Sequence, residues 1–263
     1  MNNVKNIKRL VKYLSSEDVK KQCSEYNWKI PSDVKQYIGE KCAVSLEKKA
    51  GIEKNYSFFY HMNKHYNDLK TTYKKKKLCM WMINKWGGIW NIGDDIYNTA
   101  LDNIDAFNIN SDLEFERIAS WSKYLTIVNP NKYAIYDTRI AFCLNALKII
   151  YDLDIKYFPM PAGGRNKTIN SLNMATIINL VELIDNHISV SKQISESALY
   201  YNKERAYYEY LKFLCLLNSH LFDGVKQKRL YSTEAILFAI SVDVIPDLLI
   251  NTLRNRYKIN YNG

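Results

Sequence analysis

No stretch of this 263-residue chain is apolar for long enough to cross a bilayer. A membrane helix needs ~20 such residues, and the best run, Ala235 to Ile245, is interrupted by Ser241 and Asp243. The opening, MNNVKNIKRL, has no apolar core of the kind a signal peptide carries, so the expected compartment is the cytoplasm. Cysteine is sparse. Cys23, Cys42, Cys79, Cys143 and Cys215 are odd in number, widely spaced and form no C-x-x-C pair, which excludes a disulfide framework and fits reduced, buried thiols. Histidine is scarcer still. His61 and His65 would share a helix face, but no glutamate lies between them and no third ligand is placed near them; His187 and His220 stand apart. No metal and no cofactor is expected.

Acidic residues are in the minority, 27 against 37 lysines and arginines, which leaves a net charge of +10. A basic surface concentrates phosphate and gains from counterion release, so nucleic acid is the expected partner, with no membrane contact. The apolar share of 47% excludes disorder of the whole chain.

There is no fixed-period repeat and no low-complexity linker, and the apolar periodicity is helical throughout. Ile7, Leu10, Val11 and Leu14 make one stripe, and Ser15 or Ser16 caps the next helix. Pro31-Ser32-Asp33 opens a third through Val34, Ile38, Cys42 and Leu46, with Gly51 as its stop. Gly87-Gly88, set among Trp81, Trp86 and Trp90, ends a later helix. Ile169 to His187 and Ala198 to Leu221 read as single helices. Ser232 caps a helix starting at Glu234, and Pro246-Asp247 opens the last one. The expected class is all-α: one two-lobed helical domain over 1–263, with a lobe junction near 157–168, where YFPMPAGGRNKT forbids regular structure.

The most informative stretch runs from Ser111 to Leu147, SDLEFERIASWSKYLTIVNPNKYAIYDTRIAFCLNAL. Ser111 with Glu114 is a capping-box start, and Ile118, Trp121, Leu125 and Val128 follow as a helical stripe that should end at Asn129-Pro130. A short aromatic arm, Tyr133 to Tyr136, leads to Asp137 at the N-cap of another helix, whose buried face is Ile140, Leu144 and Leu147. This block resembles the core of the helix-hairpin-helix DNA glycosylases, in which an extended arm delivers one aspartate to a helix start beside a flipped base. The turn ahead of it, Asn108-Ile109-Asn110-Ser111, has no glycine, so the hairpin is degenerate, and the four-cysteine iron–sulfur loop of some members is absent.

The resemblance implies a monomeric enzyme that extrudes a damaged or modified base from double-stranded DNA and cleaves its N-glycosidic bond, leaving an abasic site. One branch acts on modified phage DNA, including glucosylated hydroxymethylcytosine, so antiviral defence is one expected setting. Asp137 matches the catalytic aspartate; its charge would stabilise the oxocarbenium-like sugar. Lys123 is the amine nearest in sequence for a Schiff base at C1′, but it lies opposite the Ile118, Trp121, Leu125 stripe, so a solvated lysine and a monofunctional enzyme are expected. Trp86, Trp90, Trp121 and Tyr136 are candidates to wall or stack on the base, and Arg139 to bind a phosphate or an acid. Gly163, Gly164, Arg165, Asn166 and Lys167 form a loop tip suited to phosphate, and Lys74, Lys75 and Lys76 lie in a basic, aromatic stretch. Two other readings stay open: a non-catalytic nucleic-acid-binding helical protein, and a metal-dependent nuclease using Asp94 and Asp95. Replacing Arg165 and Lys167 together with alanine should weaken binding to all DNA sequences and flatten its salt dependence; an unchanged salt slope would place the DNA surface elsewhere.

Overall fold

The computed structural model describes residues 5–90, 115–164, 166–187, 195–224 and 229–258. Every regular element among them is helical: α1 (Ile7–Leu14), α2 (Glu17–Glu25), α3 (Lys35–Ile38), α4 (Glu40–Glu47), α5 (Gly51–Asp68), α6 (Thr72–Met80), α7 (Ile118–Val128), α8 (Thr138–Tyr151), α9 (Lys167–Ser171), α10 (Met174–Asp185), α11 (Glu196–Leu199), α12 (Lys203–Leu221), α13 (Tyr231–Ile240) and α14 (Ile245–Tyr257). A π-helical turn, Trp81–Trp86, prolongs α6. Strand-like pairing among the described residues is limited to one parallel bridge between Tyr157 and Tyr200. No single described helix is long and apolar enough to cross a membrane.

At the centre is α13, all ten of whose residues are buried. It packs against α2, α5, α8 and α12, and the buried apolar residues form one cluster reaching from Ile7 to Leu249. A fully buried Leu or Ile in such a cluster contributes roughly 1.5–3 kcal/mol. Two polar groups of α13 are met by its neighbours: the Tyr56 hydroxyl donates to the Ser232 carbonyl (3.1 Å), and the Thr233 hydroxyl to Asn218 Oδ1 (2.7 Å). Ser232 therefore lies inside the helix and does not cap it.

Glycine accounts for two other departures from the sequence reading. Gly39, at φ 80°, breaks the expected third helix into α3 and α4. Gly51 opens α5 instead of stopping a helix: it sits at φ 58°, and a Cβ there would run into the Cys23 carbonyl of α2. The Ile169 to His187 reading divides at Leu172–Asn173, where Asn173 caps α10. The expected caps at Ser16, Gly87 and Asp137, the stop at Asn129, and the proline start of α14 are observed. The Ser111–Glu114 capping box, the glycine-free turn before it and the Asp94–Asp95 pair lie outside the described residues.

Between α7 and α8 the arm Tyr133–Tyr136 is non-helical yet entirely buried. With no sheet to pair with, its backbone is met by side chains. The Tyr207 and Tyr210 hydroxyls donate to the Ala134 and Ile135 carbonyls, and Ser122 Oγ accepts from the Tyr136 amide (3.0 Å). The stretch 157–161 is held likewise. Asn145 Oδ1 accepts from the Phe158 amide (2.7 Å), Asn145 Nδ2 donates to the Phe158 carbonyl (2.8 Å), and the Tyr136 hydroxyl donates to the Pro159 carbonyl (2.7 Å). Ser122→Ala would strand the buried Tyr136 amide and should cost about 1–3 kcal/mol in urea unfolding. Breaking the exposed Lys21–Glu25 pair with Lys21→Ala should cost less than about 0.5 kcal/mol. Equal costs for the two would mean that the arm needs no such partner.

Candidate active site

The arm delivers Asp137 to the start of α8, where its two carboxylate oxygens face different partners. Oδ1 accepts from the Arg139 and Ile140 amides at 2.9 and 3.2 Å, as an N-cap should. Oδ2 lies 3.9 Å from Lys123 Nζ. The Lys123 side chain is 6% exposed and that of Asp137 18%, so this ion pair is largely withdrawn from water.

Lys123 is thus not the solvated lysine its helical position suggested. The apolar stripe marks only one of the buried faces of α7, which also buries Ser120, Ser122 and Thr126. The ammonium donates to the Ala119 carbonyl one turn back (2.6 Å). Burial lowers the lysine pKa from 10.5, and Arg139 adds to the effect, while the charges of Asp137 and Glu234 oppose it. Room for the aliphatic stem comes from Gly87 at the end of the π-turn, where a Cβ would stand 2.7 Å from Lys123 Cδ and 2.7 Å from the Ile83 carbonyl oxygen.

Lys123 and Asp137 line a cavity together with Tyr26, Trp28, Asn55, Phe59, Trp86, Ile135, Glu234, Ala235 and Phe238. Its volume is about 20 Å³. That is room for a water-sized guest, not for a nucleobase. Glu234, from α13, is the residue that sequence reasoning missed: it is 3% exposed, and its Oε2 has no hydrogen-bond partner. Burial, then the charge of Asp137, pushes its carboxyl well above the usual range, against the pull of Lys123, the Ile135 amide and Arg139. Its position in the sequence, between a presumed cap and an apolar run, gave no sign of this.

The other candidates divide. Trp86 is buried and lines the cavity, its ring 5.7 Å from that of Trp28. Trp90 is 52% exposed beneath the Lys85 ammonium. Trp121 is half-buried and does not line the cavity, and Tyr136 is wholly enclosed with its hydroxyl committed to Pro159, so neither is placed to stack on a base. The Arg139 guanidinium lies over the rings of Trp28 (5.6 Å) and Phe238 (4.9 Å), with Nε buried and unpartnered.

The glycine loop is tied to the front of α8. Thr138 Oγ1 donates to the Pro161 carbonyl (3.2 Å), and Gly164 packs so closely on Thr138 that a Cβ would stand 2.6 Å from its methyl carbon. Gly163 is exposed at φ 84°, Asn166 caps α9, and Lys167 is exposed; Arg165 lies outside the described residues. Lys74, Lys75 and Lys76 fall in the first turns of α6 behind the Thr71 cap, with Lys75 over the Tyr66 ring. Among the described residues no group of three His, Cys, Asp or Glu is placed to hold a metal ion.

Glu234 makes a signed prediction about stability. The folded protein holds this proton more tightly than the unfolded chain does. Its contribution is therefore fully present below the ordinary value of 4.5 and is lost as the pH rises towards the folded value. Around it stand Lys123, Asp137, Arg139 and five tyrosines, Tyr26, Tyr56, Tyr207, Tyr210 and Tyr231; all five have raised pKa values and stay protonated in this range. In urea unfolding from pH 4.5 upward, Glu234→Gln should flatten the decline in stability. An unchanged slope would show that the carboxyl ionises as freely in the fold as outside it.

Compared with known protein families, with characterised proteins and with solved structures, the chain has no match.

Proposed function

We propose that the chain is a DNA glycosylase on a two-lobed helix-hairpin-helix scaffold, acting as a monomer on double-stranded DNA, with Lys123 as its nucleophile. The observation that carries this reading is the desolvated Lys123 amine 3.9 Å from the Asp137 carboxylate, at a helix start reached by a buried arm. A lysine with a lowered pKa spends more of its time as the free amine, the form that attacks carbon. Nζ adds to C1′ of an extruded nucleotide as the base departs, and Asp137 stabilises the cationic sugar. Ring opening then leaves a Schiff base, from which β-elimination nicks the strand. Buried Lys123 thus favours lyase activity over the monofunctional mechanism expected from the sequence. The substrate class is a damaged or modified base, and the glucosylated cytosine of phage DNA is the specialised target that the resemblance suggests.

For a base to enter, the 20 Å³ cavity must open; one part of its wall, the segment after α2 that carries Tyr26 and Trp28, lies outside any helix. That small volume favours a second reading, in which the charged cluster only braces the arm and the protein binds DNA without cleaving it.

Borohydride trapping on a duplex with a preformed abasic site separates the two without knowledge of the base. The wild-type protein should form a covalent adduct, and Lys123→Gln none. Asp137→Asn should slow base release and trapping by on the order of 100-fold or more. Because asparagine still caps a helix, its stability cost should stay below about 2 kcal/mol. A wild-type protein that binds the duplex but never traps would rule out Lys123 as nucleophile.

A further inference from the structure

The reaction above makes no use of Glu234, although it shares the cavity with both reacting groups. A carboxyl in the middle of an all-buried helix is an expensive choice if all that is needed is an acceptor for the Ile135 amide. Glutamine would serve the amide equally well. Yet Glu234 Oε2 has no partner, and neither do the indole N–H groups of Trp28 and Trp86, two walls of the same cavity. Polar atoms left unpaired in a core are rare, and three on residues that line one small space can be met together by one group once that space opens to admit it. Two indole donors and a protonated carboxyl would face that group, so its edge must be rich in acceptors.

We propose that Glu234 is the general acid of this site, donating its proton to the departing base, and that the base is a neutral one presenting carbonyl oxygens or ring nitrogens to Trp28 and Trp86. This rests on the glycosylase reading above. As the C1′–N bond breaks, its electron pair passes to the base. The Glu234 proton neutralises the resulting anion at a carbonyl oxygen or ring nitrogen conjugated with it, and the free amine of Lys123 forms the new bond to C1′. The carboxylate left behind faces the one positive charge that passes from the sugar to the Lys123 nitrogen as the new bond forms, and regains a proton from water after product release. Burial and the nearby Asp137 charge are what give Glu234 a proton to donate.

A preformed abasic site has no base to protonate, and this separates the roles. A panel of duplexes, each with one modified or damaged base and including glucosylated hydroxymethylcytosine, is given to the wild type, Glu234→Gln and Glu234→Asp, alongside the abasic duplex with borohydride. Glu234→Gln should lower base release by on the order of 100-fold or more while trapping abasic DNA within about twofold of wild type. Glu234→Asp, which keeps a proton at shorter reach, should recover part of the release. If neither variant folds, the wild type alone decides. With Lys123, Asp137, Arg139 and the five tyrosines named above as its titratable and charged neighbours, release should fall as pH rises while trapping does not. Release by Glu234→Gln within about threefold of wild type would overturn the proposal, as would trapping lost in step with release. A wild type that traps abasic DNA yet releases no base from the panel also overturns it. Glu234-dependent release without any trapping would overturn only the amine mechanism and leave the general acid standing.

Discussion

A buried backbone outside any helix or sheet must find hydrogen-bond partners among side chains, and this constraint organises the molecule around residues 133–136 and 157–161. Tyr207 and Tyr210 from α12, Ser122 from α7 and Asn145 from α8 are each placed where they meet a backbone group of these two stretches. The two stretches are also joined to each other, since the Tyr136 hydroxyl of the first donates to the Pro159 carbonyl of the second. Five tyrosine, serine and asparagine side chains thus do what strand pairing does elsewhere. They hold Asp137 at a fixed point against α8 without giving up the core.

The charged cluster inherits its geometry from the same arrangement. Glu234 both meets the Ile135 amide of the arm and lines the cavity that Lys123 and Asp137 share, so the acid is placed by the backbone it helps to bury. Gly87 and Gly164 contribute by absence. One leaves space for the Lys123 stem, and the other lets the 161–164 loop close on Thr138, next to Asp137. Substitution at either glycine would therefore reach the site through packing, with no charge altered.

How much could be read from the sequence depended on whether a signal was local. Asp137 as a cap, Asn129-Pro130 as a stop and the all-helical class rest on chemistry within a few residues, and the described structure has all three. Lys123 was misplaced because a stripe of apolar residues identifies one buried face and says nothing about a helix surrounded on nearly every side. Gly51 misled because a glycine beside a helix is equally a stop or a close approach, and only the neighbouring Cys23 carbonyl tells which. Glu234 and Trp28 reach the cavity from elements remote in sequence, α13 and the segment after α2, so no spacing rule connects them to Asp137.

A helix without a surface, such as α13, also has no silent positions. Along an ordinary amphipathic helix, random replacement is absorbed on the solvent side and felt on the other, leaving a periodic record of tolerance. From Tyr231 to Ile240 that periodicity should vanish, because every site answers to buried neighbours. Packing alone would trade the glutamate at 234 for an uncharged residue of its shape, so a population of variants selected only for folding should lose this acid early, and one selected for activity should keep it.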